Sequence, residues 1–203
     1  MAGLTKTLLR LGLCLTLGPG FSLASAAVVL QVSGGKLTGA LNVEVQGSLY
    51  DVAFVDGTCA SVFSGCNEPS DFAFSLTDTP AIHAAGALYA QVLVNSGEGN
   101  FDSQPELTAG CSDIANCRVL IPYSVTADGS FVDAIGAFNQ VSEAADVIGS
   151  IDFPVTYDTT GVSFEVWAVF TPAAAVSEPG ILLLFSVSLA GLGLSRRRRA
   201  TNP

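Results

Sequence analysis

Four cysteines in the middle of the 203-residue chain are the residues best suited to covalent chemistry. Cys59 and Cys66 lie close in sequence, and so do Cys111 and Cys117. An even number of cysteines is typical of a disulfide framework outside the cytosol, and four cysteines allow three pairings. Proximity favours the two local pairs, whereas crossed pairs would need the two segments to be adjacent in the fold. A zinc site is the alternative, although both spacings are longer than those of zinc knuckles.

The residues that could catalyse a reaction form no recognisable motif. His83 is the only histidine, and the chain has neither a Gly-x-Ser-x-Gly elbow nor a phosphate-binding glycine loop. Its 18 acidic residues offer many carboxylate pairs, but sequence gives no distances between them. The loop 95–102 carries oxygen ligands between glycines but lacks the acidic residue that completes an EF-hand. We expect no catalytic residues, metal or cofactor, with a carboxylate-dependent extracellular hydrolase as the alternative.

The charge of the chain is strongly negative and unevenly distributed. Eighteen acidic and eight basic residues give a net charge of −10. Residues 27–176 contain 17 of the acids but only Lys36 and Arg118 as basic residues, so this stretch has a net charge of −15. Such a surface repels a phosphate backbone, which excludes nucleic acid as a partner.

The first 26 residues have the three parts of a secretory signal peptide. A positively charged start precedes an apolar run over residues 11–17, a Gly-Pro-Gly break follows, and Ala24-Ser25-Ala26 supplies a signal peptidase site. The apolar run is shorter than the roughly 20 residues that a membrane-spanning helix needs. We therefore predict that signal peptidase removes residues 1–26, and Cys14 with them.

The last 27 residues form a second membrane-directed segment. An uncharged run over residues 180–195 is followed directly by Arg196, Arg197, Arg198 and Arg199. As a helix the run would reach about 24 Å, somewhat short of the roughly 30 Å hydrocarbon core of a bilayer. Snorkelling arginines and local thinning of the bilayer allow it to span at modest cost. Arginines beside an apolar helix stay on the cytoplasmic side. The two ends therefore predict a membrane-held intermediate with residues 27–176 outside and the C-terminus in the cytoplasm.

This tail resembles the PEP-CTERM sorting signal, which consists of a short motif with Glu-Pro, an apolar helix and an arginine cluster. Residues 177–203 have these parts in that order: Glu178 and Pro179 match the motif, whereas Ser177 replaces its first proline. The resemblance implies cleavage near Glu178-Pro179 by exosortase, a membrane-embedded cysteine protease of Gram-negative bacteria that make extracellular polymers. It also makes extracellular polysaccharide a candidate partner of the mature protein.

Periodicity and turn residues predict the elements between the two ends. Alternation around Gly47-Ser48 predicts a hairpin over 40–56, and Asp128-Gly129 predicts a second hairpin between strands at 119–126 and 130–138. Apolar residues at three- and four-residue spacing predict an amphipathic helix over 80–95. Pro122 favours an edge position for its strand. The remaining predicted elements are strands at 28–32 and 163–170, and a helical turn or a loop at 140–149.

These elements predict one α+β domain over residues 27–172, in which a small, mostly antiparallel sheet carries one main helix. A linker over residues 173–176 joins this domain to the C-terminal apolar helix and its motif. The combination predicts an exported protein of the cell surface or extracellular matrix, without enzymatic activity. A small extracellular binding module for a glycan or a divalent cation is the alternative.

Overall fold

The structure, a computed structural model, describes residues 26–142 and 146–174. The described chain is 45% strand and 16% helical. Its strands are β1 Val29–Ser33, β2 Lys36–Val45, β3 Ser48–Val55, β4 Asn95–Ser96, β5 Gly99–Asn100, β6 Asn116–Val125, β7 Phe131–Gln140, β8 Val147–Pro154 and β9 Glu165–Pro172. Its helices are α1 Cys59–Val62 and α2 Asp78–Gln91, with 3₁₀ turns at Pro69–Asp71 and Pro105–Leu107.

Seven strands form one sheet in the order β1-β2-β3-β9-β6-β7-β8. Neighbouring strands are antiparallel except β6 and β9, which run parallel where Arg118 to Leu120 face Glu165 to Trp167. Strands β4 and β5 form a separate two-stranded hairpin. The last strand, β9, therefore lies in the centre of the sheet and joins the two antiparallel halves.

The predicted fold class is wrong. We expected an α+β domain with a small, mostly antiparallel sheet and one main helix, whereas the described chain is mostly β with a large, mixed seven-stranded sheet. Strand β8 begins within the segment 140–149 that we assigned to a turn or a loop. Gly149 and Ser150 interrupt its apolar alternation, so the pattern there is a weak strand signal. The parallel pairing of β9 with β6 joins residues far apart in the chain, and no local pattern encodes it.

Both predicted hairpins are present. Strands β2 and β3 meet at Gln46-Gly47, one residue before the predicted turn, and both turn residues have positive φ, 49° and 80°. Positive φ at both positions is what a type I′ turn requires, and this turn suits the twist of paired strands. Between β6 and β7, Asp128 accepts hydrogen bonds from Thr126 Oγ1 (2.6 Å) and Ser130 N (3.2 Å).

The predicted helix is present as α2, which begins two residues earlier and ends four residues earlier than the predicted 80–95. Its buried residues include Ala81, Ala84, Ala85 and Leu88, which share one face at three- and four-residue spacing. This face packs against β7, β2 and β6. Alanine side chains let the helix approach the sheet closely.

Alternation along the strands gives the sheet two apolar faces. On β9, Val166 and Ala168 belong to the core cluster that contains α2, and we call this side the helix face. Trp167 belongs to the other cluster, with Phe63 and the Cys59–Cys66 pair, and we call that side the Trp167 face. The rings of Phe63 and Trp167 meet edge to face at 5.7 Å between centroids. The sheet is therefore covered by α2 on one face and by the α1 segment on the other.

Candidate functional site

Three polar side chains form a network beside the Trp167 face, with one of them buried and the other two partly exposed. Glu165 is 2% exposed and forms an ion pair with Arg118, which faces it across the parallel strand pair. The hydroxyl of Tyr157, just after β8, donates to the other carboxylate oxygen of Glu165. The Arg118 guanidinium also lies 4.4 Å from the ring centroid of Phe138, a cation–π distance.

The electrostatics of this network favour a structural role. Burial, then the hydrogen bond to Glu165 and its charge, raise the pKa of Tyr157 to about 12. The phenol is therefore protonated at neutral pH and acts as a donor. Both oxygens of Glu165 already have partners, so neither group is placed to act as a general base or a nucleophile. The network holds β6, β9 and the segment after β8 together.

The two local disulfides are present, which confirms the favoured pairing. Cys59–Cys66 has a Cα–Cα distance of 5.7 Å, and Cys111–Cys117 one of 5.8 Å. All four cysteines are buried. Loop-closure entropy gives each bridge a contribution of about 2.4 kcal/mol to stability. Because the sulfurs are bonded to each other, these cysteines are not ligands of a zinc ion.

A cleft of about 360 Å³ lies between the end of α2, the loop 95–102 and the residue before β8. It is lined by Tyr89, Leu93, Val94, Asn95, Asp102 and Asp146. Asn95 and Asp102 belong to the loop whose oxygen-bearing side chains the sequence indicates as possible ligands, whereas Tyr89 and Asp146 were not predicted. No sequence signal connects these two, since one is in a helix and the other follows β7.

The loop 95–102 itself is a small hairpin whose polar side chains bind one another. Asn95 pairs with Asn100 across β4 and β5. The Asn95 amide donates to Asp102 Oδ2 (3.2 Å), and its oxygen accepts from the backbone N–H of Ser103 (3.2 Å). Within residues 26–142 and 146–174, no group of three or more His, Cys, Asp or Glu side chains is placed to hold a metal ion.

Neither His83 nor the carboxylate pair formed by Asp133 and Asp152 lines this cleft. His83 is exposed on α2. Asp133 and Asp152 lie opposite each other on β7 and β8, and burial followed by the charge of Asp152 raises the pKa of Asp133. Glycosidases place two carboxyl groups on either side of a bound substrate. This pair is on neighbouring strands and does not line the cleft at Tyr89.

The predicted sorting residues lie outside the described part of the chain. Ser177, Glu178, Pro179 and the arginines 196–199 follow residue 174, and residues 1–25 precede the first described residue. Export, cleavage and membrane topology therefore stay predictions. Among the described residues, no helix combines the length and the apolar character needed to cross a membrane.

The chain matches no protein-family model, no curated protein and no solved structure.

Proposed function

We propose that the chain is an exported protein of the cell surface or extracellular matrix, without catalytic activity of its own. The observation that supports this most is the pairing of all four cysteines of the described chain in two buried disulfides. Disulfides persist in oxidising compartments and are rare in the cytosol. The net charge of −15 over residues 27–176 would keep such a protein soluble after export.

The two ends supply the route in this proposal. Signal peptidase removes residues 1–26, and the apolar run 180–195 then holds the chain in the inner membrane with the arginine cluster in the cytoplasm. Exosortase cleaves near Glu178-Pro179. The remaining part of the chain, which begins at residue 27 and which we call the body, is then anchored at the surface or released among extracellular polysaccharide.

Intact-mass spectrometry of the mature protein from its host tests this route. The expected product begins at residue 27, ends near Glu178 and takes up four alkyl groups only after reduction. A Glu178→Ala variant should keep its tail. Thr201→Ala is the matched control, because it changes the tail outside the motif, the apolar run and the arginines, and it should be processed normally.

Two results would contradict the proposal. A mature wild-type protein that still ends at Pro203 would rule out processing of the tail. Thiols that react with the alkylating reagent before reduction would remove the argument for an oxidising compartment.

A second candidate is a small binding module for a glycan or a divalent cation. The cleft favours a binding function, because its lining combines apolar side chains with a few polar groups, which is the usual composition of a ligand site. Of the two ligand classes the divalent cation has less support. Ca²⁺ takes about six to eight oxygen ligands, whereas the described residues around the cleft offer two carboxylates.

A further inference from the structure

The walls of the cleft are held in place by hydrogen bonds. The Tyr89 hydroxyl donates to the carbonyl oxygen of Val147 (2.8 Å), which ties the end of α2 to β8. Asn95 and Asp102 bind each other, as described above. The carbonyl of the buried Phe101 accepts from Asn139 Nδ2 (2.8 Å), which fixes the backbone next to Asp102. A ligand would meet a site whose shape is already set, and this lowers the entropic cost of binding.

The lining combines an apolar part with two carboxylates. Leu93, Val94 and the ring of Tyr89 supply the apolar part, while Asp102 and Asp146 are half-buried. Burial and then the negative charge of Asp146 raise the pKa of Tyr89, so this carboxylate lies near the phenol. Carboxylates in a concave site with apolar walls concentrate a negative potential.

The basic side chains of the described residues are used elsewhere. Lys36 Nζ donates to the backbone carbonyls of Glu106 and Cys111, the second at 3.0 Å. Arg118 pairs with Glu165. Neither lines the cleft, so an anionic ligand would meet two carboxylates without a lysine or arginine from the described chain to bind it.

We propose that the cleft binds an ammonium group carried on an aliphatic chain, the chemistry shared by lysine side chains and linear polyamines. This inference rests on the second candidate function, a binding module, and names its ligand. Asp102 and Asp146 pair with the ammonium group, and the Tyr89 ring adds a cation–π attraction. Leu93 and Val94 contact the methylene groups. Two carboxylates beside an apolar wall suit such a ligand better than a metal ion.

Calorimetric titration of the mature protein purified from its host tests the inference. The probes are Nα-acetyl-lysine-N-methylamide and spermidine, with the Nε-acetylated lysine derivative as the neutral control. We expect at least one of the two cationic probes to bind and the acetylated derivative to bind at least tenfold more weakly. The stronger of the two cationic probes identifies a lysine side chain or a polyamine as the better source of the group.

Charge-removing variants locate the site. Asp102→Asn and Asp146→Asn keep an acceptor oxygen for Asn95 Nδ2 and for the Gln140 N–H, so they should fold, and unfolding midpoints check this. Each should weaken binding of the cationic probe at least tenfold. Glu98→Gln is the matched control, because it removes the same charge from the same loop at an exposed position outside the lining. Its binding should match the wild type.

The possible outcomes distinguish an error in the proposed ligand from an error in the proposed binding function. If the acetylated derivative binds as tightly as the cationic probes, the ammonium group is not needed and the inference is overturned. If Glu98→Gln weakens binding as much as Asp102→Asn and Asp146→Asn do, the effect reflects net charge alone, which also overturns the inference. Binding of a neutral disaccharide or of Ca²⁺ at the cleft, with no binding of either cation probe, would overturn the ammonium ligand but leave a binding module. Absence of binding by every probe would overturn both the ammonium ligand and the binding module.

Discussion

Glu165 is buried because both of its carboxylate oxygens have partners. Among the described acidic residues it alone is buried, and removing Arg118 would leave a buried charge without an ionic partner. One of the two basic residues of the acidic body, Arg118, is used to neutralise it. Arg118 and Glu165 are 47 positions apart in the chain, so the ion pair depends on the parallel register of β6 and β9.

Tyr157 should make this network sensitive to alkaline pH. Its pKa is about 12 in the folded protein against 10.0 for an ordinary tyrosine, so its contribution to stability is present below pH 10 and is lost as the pH rises through about 12. Since Tyr157 is partly exposed, we expect a loss of about 1 kcal/mol, less than the full shift would give. Urea unfolding from pH 9 to pH 12 measures it.

Tyr157→Phe is the control for that measurement. Tyr89 and Tyr123 also have raised pKa values, but they are common to both proteins and their effects cancel in the comparison. The free energy of unfolding of the variant should fall less steeply between pH 10 and pH 12. If the free energy of unfolding falls equally with pH in the wild type and the variant, ionisation of the Tyr157 phenol does not destabilise the fold and the prediction is wrong.

Local sequence signals predicted individual helices, hairpins and disulfides but not how the strands are arranged in the sheet. Turn residues located both hairpins, three- and four-residue spacing located α2, and cysteine proximity gave the disulfides. Pro122 was expected to place its strand at an edge, yet β6 lies inside the sheet. Its parallel pairing with β9 ends at Leu120, and the register with β7 shifts just after Pro122. The missing N–H is therefore accommodated where regular pairing stops, which sequence alone does not reveal.

The candidate cleft also depends on long-range packing that local sequence signals do not predict. Asn95 and Asp102 lie in one loop, and its glycines and oxygen-bearing side chains drew attention to them. Tyr89 and Asp146 become their neighbours only because α2 packs beside the start of β8, a strand that the pattern did not predict. Long-range packing thus decides half of the site.

Two glycines should respond in opposite ways to alanine. At Gly39 of β2, an added Cβ would overlap the backbone carbonyl oxygen of Val52, and backbone must shift to relieve it. We expect Gly39→Ala to destabilise the protein by more than about 1 kcal/mol. At Gly86 of α2, an added Cβ meets no atom within 4 Å, so Gly86→Ala should stabilise the helix by about 0.5–1 kcal/mol.

Denaturant unfolding of these two variants compares the same chemical change in a strand and in a helix. Each serves as the control for the other. Equal shifts of the unfolding midpoint, in either direction, would contradict both the close approach of β2 to β3 and the open space beside α2.

For the whole molecule, both ends of the described body leave from the same end of the sheet. Asn42 links the two ends through hydrogen bonds. Its side-chain amide donates to Ala27 O (3.2 Å), and its backbone N–H donates to Asp51 Oδ1 (3.1 Å). Asp51 in turn faces Thr171 on β9. From β1 to β9 there are three strand spacings, about 14 Å. In the proposed export route, the new N-terminus at residue 27 would lie beside the connection to the apolar run 180–195, and the rest of the body would project away from that connection.

A circular permutant tests this closeness of the ends. Joining Ala174 to Ala27 through ten Gly/Ser residues, which span up to about 33 Å, and opening the chain between Gly97 and Glu98 should preserve the sheet and both disulfides. The new ends lie at the exposed tip of β4 and β5, where new termini are tolerated. We expect an unfolding midpoint close to that of the unpermuted body. The matched permutant opened between Val119 and Leu120, both fully buried in β6, should not fold. Failure of the first permutant at every linker length from ten to twenty residues would contradict the adjacency of the two ends.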